Sequence, residues 1–218
     1  MTVELLVSDF DGTLATHRGG WSLLWTLFGT ADRGEDHTAA FDRGEITYAE
    51  WCERVVEDWQ ARCVTNADVC RVRDAVKPTH GVDALFTTAA EHDVPVGVLS
   101  SGLAALIDRF EAFEHRPAFT IANELCFDAT GKLVGVTAQV GPNDKGDLLR
   151  ACCAERDIDI ANVAYVGDSY SDTEAFAAAG TAILFDPAPE TERAAFDHAD
   201  QVIEERDLGL VAEAVFDR

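Results

Sequence analysis

Short apolar runs that break off at small or acidic residues constrain this chain most. Leu5-Leu6-Val7 runs into Ser8-Asp9-Phe10-Asp11-Gly12-Thr13-Leu14, Val94 to Leu99 ends at Ser100-Ser101-Gly102, and Val163 to Val166 ends at Gly167-Asp168-Ser169-Tyr170-Ser171-Asp172. Runs of this kind, bounded by turn formers, read as buried strands. From Val82 to the C-terminus they alternate with helical stretches. Such alternation predicts right-handed crossovers and a parallel sheet whose strands all carry their carboxyl ends to one edge. The expected fold is α/β, a Rossmann-like doubly wound parallel sheet, and ligands bind such sheets where the strand order reverses.

That edge would collect a specific set of groups. Asp9 and Asp11 follow the first strand, Ser100 the second and Asp168 and Asp172 the last, while Gly141-Pro142-Asn143-Asp144-Lys145-Gly146 places a lysine at the start of the helical stretch Leu148 to Cys153. Each piece alone is weak. The chain has 40 Asp+Glu, and Asp157 and Asp159 repeat the Asp-x-Asp pattern in an ordinary helix-to-strand loop. Ser100 and Ser101 would serve equally as caps of a helix from Gly102 to Phe113. Lys145 is more telling, because the chain's only other lysines are Lys77 and Lys132.

Paired carboxylates beside a lysine and a hydroxyl suit phosphoryl chemistry. Catalysis on a phosphate monoester must neutralise the dianion and present an attacking oxygen in line. Asp9 fits the nucleophile, which would split the displacement into two steps through an aspartyl-phosphate. Asp11 fits the general acid and then the general base, a role worth about 10² to 10⁴ in rate. Lys145 and Ser100 would hold the phosphoryl oxygens. Two acids facing a phosphate call for a cation, and Mg²⁺ takes one or two carboxylates plus substrate oxygens.

The ordered set Asp-x-Asp-Gly-Thr, strand-Ser, Lys and Gly-Asp-Ser-x-x-Asp resembles the haloacid dehalogenase superfamily over nearly the whole chain. Pro78-Thr79-His80-Gly81, Ala122-Asn123-Glu124-Leu125, Gly131-Lys132-Leu133 and Glu205-Arg206-Asp207-Leu208 are similar to its phosphoserine phosphatase-like branch. The resemblance implies a Mg²⁺ site formed by Asp9, the backbone carbonyl of Asp11, and Asp168. It also implies that Asp172 holds a metal-bound water or Lys145, with Thr13, Ser101 and Gly102 in support. The expected function is hydrolysis of a small phosphorylated metabolite. A phosphotransferase or mutase shares the first half-reaction, and a non-catalytic anion or metal binder is a third class.

Residues 16–77 are too long for a simple crossover and read as helices. Trp21 to Phe28 is apolar, Thr47-Tyr48-Ala49-Glu50 is a capping box, and Tyr48, Trp51, Cys52, Val55, Val56 and Trp59 recur at helical spacing, as a core stripe does. A third helix would run from Asn66 through Val76. The expected division is an α/β core of residues 1–15 and 78–218, with residues 16–77 as a helical cap that the resemblance places over the site. Phe127 to Leu133 reads as a small β-hairpin flap. In the cap the chain departs from its branch. Arg18 stands where that branch carries a glutamate for a substrate ammonium, whereas Arg54 matches its cap arginine. Two guanidinium groups facing the leaving group would favour acidic phosphoesters without an amine.

The remaining composition mostly excludes. At 218 residues and 47% hydrophobic, the chain can bury one α/β core plus a small insert. A net charge of −23 argues against nucleic-acid binding and fits a protein of a high-salt cytoplasm, where screening offsets self-repulsion. No apolar run is long enough to span a membrane, and the N-terminus reads as a strand rather than a signal peptide, so a soluble, cytoplasmic protein is expected. A monomer or small homo-oligomer is expected. Six cysteines without a Cys-x-x-Cys read as buried thiols.

Overall fold

The computed structural model describes residues 2–108, 110, 116–188, 191 and 193–216. Strand β1 (Leu5–Ser8) lies at the centre of a seven-stranded sheet of order β4-β3-β2-β1-β5-β6-β7. Its neighbours are β2 (Val96–Leu103) and β5 (Val163–Gly167), with Leu6 opposite Val96 and Leu5 opposite Val163. β3 (Phe119–Phe127), β6 (Thr181–Phe185) and β7 (Gln201–Ile203) extend it in parallel, and only β4 (Leu133–Thr137) is antiparallel, completing a hairpin with β3. The order therefore reverses at β1, as the doubly wound reading requires.

Burial on both faces explains why these strands are continuous apolar runs. Leu6, Val96, Val98, Ala164, Val166, Ile183 and Phe185 face one core with helices α5 (Val82–Glu91) and α10 (Leu208–Phe216). Leu5, Val7, Leu99, Val163, Tyr165, Ala182 and Leu184 face a second core with α7 (Lys145–Glu155), α8 (Thr173–Ala178) and α9 (Arg193–His198). Truncating such a side chain to alanine costs about 2–5 kcal/mol.

Helices α1 (Gly20–Phe28), α2 (Ala31–Asp42), α3 (Tyr48–Ala61) and α4 (Asn66–Arg73) lie in the chain between β1 and β2. The Thr47–Glu50 capping box is present at α3, and a second, Thr65–Asp68, starts α4. The aromatic stripe is core: Trp21 packs 4.9 Å from Trp51 and 5.6 Å from Trp59, ring centre to ring centre. The chain leaves and returns side by side, Ala15 bridging Pro78 and Thr16 N–H donating to Lys77 O at 2.9 Å.

Several boundaries differ from the sequence reading. β2 does not stop at Leu99 but carries Ser100-Ser101-Gly102 on to Leu103 through a register shift against β3. The expected Gly102–Phe113 helix is shorter: Gly102 and Leu103 belong to β2, α6 spans Ala104–Ile107, and Asp108 and Phe110 are not helical, while Arg109 and residues 111–115 lie outside the described residues. α4 ends at Arg73 instead of Val76. α2 is additional: it buries only Gly34 and Ala40, so it has no apolar stripe to read. Cys52, Cys152 and Cys153 are buried, but Cys63 is exposed and Cys70 and Cys126 are partly so; Cys63 sits at φ 57° just beyond α3, on a turn rather than a packed face. Among the described residues no helix is long and apolar enough to cross a membrane.

Candidate active site

The backbone turn after β1 sets the site. Asp9 N–H donates to Val166 O of β5 at 2.9 Å, holding the buried Asp9 at the sheet edge. Gly12 has φ +83° and passes so close to Asp168 that a Cβ there would lie 2.1 Å from Asp168 Oδ2, which only glycine permits. Gly102 plays a similar part across the cavity, where a Cβ would stand 2.5 Å from Asp11 Oδ2. A cavity of about 370 Å³ opens between these turns, with Asp9, Asp11, Arg18, Trp21, Ser101 and Asp168 on its wall.

Lys145 is the first residue of α7 and is fully buried. Its Nζ lies 2.9 Å from Asp9 Oδ2 and 2.6 Å from Asp172 Oδ1. Burial alone would depress the ammonium, but Asp172 and Asp9 outweigh it and hold Lys145 charged. Asp172 also accepts from Tyr165 O–H at 2.7 Å and from the N–H groups of Asp168 and Ser169 at 3.1 Å each. It is thus committed to Lys145, one of the two roles the resemblance left open.

The acids outnumber the cations that reach them. Burial raises the Asp9 carboxyl, opposed by Lys145 and reinforced by Asp172 and Asp11. Burial, then Asp172 and Asp9, push Asp168 up to about 8 against Arg18 and Lys145. Asp9, Asp168 and Asp172 each bring a carboxylate oxygen within 4.8 Å of the others. A buried, under-neutralised set of hard oxygen donors fits Mg²⁺. Asp172 takes Lys145, Tyr165 and two backbone N–H groups, against Lys145 and Phe10 N–H on Asp9 and Arg18 on Asp168, so Asp9 and Asp168 keep more capacity for it.

The other expected residues are placed as follows. Ser100 is buried and its Oγ accepts from Gly102 N–H at 3.0 Å, bracing the β2 register shift. Ser101 contributes its carbonyl, which accepts from Trp21 Nε1–H at 3.0 Å, Tyr48 O–H at 3.3 Å and Asn123 Nδ2–H at 2.8 Å. Thr13 is buried, yet its hydroxyl has no partner among the described residues, so it does not hold Asp11; its N–H closes the turn on Phe10 O. Arg18 reaches the site, its Nη1 2.6 Å from Asp168 Oδ2. Arg54 does not line the cavity and is exposed on α3, contrary to the expectation that it faces the substrate. The periodicity that buries Trp51, Val55 and Trp59 turns Arg54 outward.

Four residues of the site were not read from sequence. His17 Nε2 lies 2.7 Å from Asp11 Oδ1 without the angle of a hydrogen bond, while Gly20 N–H donates to Asp11 Oδ2 at 2.6 Å. Asp186, at φ +38°, accepts from both Arg18 and Arg206. Arg206 also donates to the carbonyls of Gly12, Ala15 and Thr16 and so clamps the first turn. Asn123 joins β2 and β3 to the strand-to-helix loop through Ser101, Gly102 and Val140. Arg206 and Asn123 lie inside segments the sequence had singled out, whereas His17 and Asp186 sit in loops without periodicity.

Residues 6–177 match the haloacid dehalogenase-like hydrolase family. The chain is 28% identical over 215 residues to a phosphoserine phosphatase of Halobacterium salinarum, covering 96% of this chain and 97% of that one. It is 29% identical over 199 residues to a phosphoserine phosphatase of Lactococcus lactis subsp. lactis, covering 90% of each. The fold is also that of a phosphoserine phosphatase crystal structure in apo form, with a TM-score of 0.79 at 22% identity, over 98% of this chain and 100% of that one.

Proposed function

The chain belongs to the haloacid dehalogenase-like hydrolase family and is a phosphatase, and from that premise we propose that it hydrolyses small phosphomonoesters with Mg²⁺ through an aspartyl-phosphate on Asp9. One observation carries the reading: Asp9, paired with the buried Lys145, shares a cavity wall with Asp11 and Asp168. A carboxylate of Asp9 attacks phosphorus as the bond to the leaving alkoxide breaks, and Asp11 gives that oxygen its proton. Asp11 then takes a proton from water, whose oxygen attacks phosphorus; the bond to Asp9 breaks, releasing inorganic phosphate. Lys145 offsets the charge on Asp9 and on the phosphoryl oxygens throughout. Asp9 and Asp168, with the Asp11 carbonyl, would hold Mg²⁺, which supplies charge neutralisation on the phosphoryl group.

Residues 16–77 act as a cap that excludes water, the core being residues 1–15 and 78–218. Two features bear on the substrate. The relatives are phosphoserine phosphatases, but the Arg18 guanidinium on the cavity wall suits a carboxylate or second phosphate better than an ammonium. Acidic phosphoesters of the phosphoglycolate or phosphoglycerate type are therefore the preferred class, with recognition resting on Arg18 alone. The charge of −23 supports work in concentrated KCl. The test is phosphate release from phosphoglycolate, phosphoserine and p-nitrophenyl phosphate in molar KCl with Mg²⁺. Asp9→Asn should abolish release from all three while leaving the fold intact, and near-parental turnover in that variant would remove the covalent mechanism.

A further inference from the structure

We propose that Arg18 is a tethered cation that competes with the divalent metal for Asp168 and so sets the metal concentration the site requires. The inference rests on the reading of Asp168 as a metal ligand given above. Arg18 enters from the linker between Ala15 and α1. Its Nη1 lies 2.6 Å from Asp168 Oδ2, and its Nη2 lies 2.5 Å from Asp186 O and 2.8 Å from Asp186 Oδ2. Asp186 is gripped from the other side by Arg206 Nη1, 2.6 Å from the same Oδ2, and Arg206 Nη2 is fixed in turn on the Gly12 and Thr16 carbonyls, 3.1 Å from each. The anchor is therefore Asp186, which keeps the guanidinium at the cavity wall whether or not Asp168 holds its other end.

A cation placed this way weakens metal binding twice over. It occupies an oxygen of Asp168 with a charge-assisted hydrogen bond, and its charge repels a second cation. A guanidinium does not deprotonate in proteins, so Arg18 keeps its charge at every working pH. Linkage makes the competition reciprocal. A metal on Asp168 loosens Nη1 toward the cavity, and an anion that takes Nη1 from within the cavity releases Asp168 to the metal. An acidic leaving group would thus be recognised by Arg18 and tighten the metal at once, which a neutral or amine-bearing one does not do.

The experiment is calorimetric titration of Mg²⁺ into the metal-free full chain at fixed high KCl, a readout independent of turnover. Arg18→Gln should bind Mg²⁺ about 10-fold tighter than the parent, within the 5- to 150-fold range of coupled sites. Arg18→Lys, whose compact ammonium cannot fork between Asp168 and Asp186, should fall between the two and carries the test if the glutamine variant folds poorly. A dissociation constant equal to or weaker than the parent's in these variants overturns the competition. Asp168→Asn separates the two readings. If it abolishes Mg²⁺ binding while the Arg18 variants bind like the parent, only the competition is wrong; if it binds Mg²⁺ like the parent, the assignment of Asp168 falls and the competition with it.

Discussion

The two sides of the cavity hold their carboxylates in opposite ways. On the β5–α7 side, Asp172 is held by Lys145 at the start of α7, Tyr165 within β5 and two backbone N–H groups just beyond the end of β5. On the linker side, Asp11 has one firm donor, Gly20 N–H, and a misaligned neighbour, His17. Asp11 Oδ1 and both His17 ring nitrogens are buried without a hydrogen-bond partner among the described residues. The difference follows the roles proposed for them. A group that keeps a fixed charge gains from a rigid, fully satisfied setting. A group that must give up and regain a proton needs an unsaturated one, and here that setting is supplied by the segment leading into the helical insertion.

Removing the central cation should produce the largest contrast. Lys145→Met leaves Asp9 and Asp172 buried with no counter-charge, a change that costs about 3–5 kcal/mol when a buried pair is broken. The urea midpoint should fall accordingly and phosphatase activity should be lost. An unfolding free energy within about 1 kcal/mol of the parent's would mean that the β5–α7 side is no more rigidly balanced than the linker side.

Proton linkage gives the next largest effect. Without metal, burial together with Asp172 and Asp9 keeps Asp168 protonated up to about 8, while an unfolded carboxyl ionises near its ordinary 3.8. The folded state therefore binds more protons across that interval, so the metal-free protein loses this stability as pH rises from about 4 through 8. Mg²⁺ must displace the proton, so the melting-temperature gain on adding Mg²⁺ should be larger at pH 8 than at pH 6. One pH unit is worth up to about 1.4 kcal/mol per proton, or about 2–4 °C per kcal/mol for a chain of this size. An equal gain at both pH values would break the account of Asp168.

The smallest effect probes the linker side. His17→Gln should slow steady turnover of p-nitrophenyl phosphate about 10-fold, a modest part of what general acid–base catalysis supplies. It should leave the rapid nitrophenol burst nearly intact, because that leaving group needs no proton. A uniform loss in burst and turnover would show that His17 only supports the fold.

The groups on the rigid side were legible because each sits at a break in a regular pattern. Asp9, Asp168 and Asp172 follow apolar runs, and Lys145 opens a helix in a chain with three lysines. Those breaks are imposed by the backbone, so sequence carries them. His17 and Asp186 act through loop geometry, including a positive φ at Asp186, which leaves no periodic trace. In sequence Ser100 reads as a strand end, whereas β2 continues through it, where Asn123 supplies donors to the shifted segment. Arg54 shows the opposite failure. The helical spacing of Trp51, Val55 and Trp59 turns it outward, and that periodicity, not the match of one position to a branch pattern, decides where it points.

The Ser101 carbonyl has a consequence for how the molecule opens. Trp21 and Tyr48 reach it from α1 and α3, while Asn123 reaches it from within the sheet. Parting those helices from β2 would break two hydrogen bonds, worth about 0.5–1.5 kcal/mol each, and return their donors to water. The acceptor itself would never be stranded, since Asn123 stays. The two donors can therefore leave without stranding a bare buried oxygen, so the polar part of this contact opposes separation only by the bonds themselves, and the apolar packing of Trp21 and Trp51 supplies the rest.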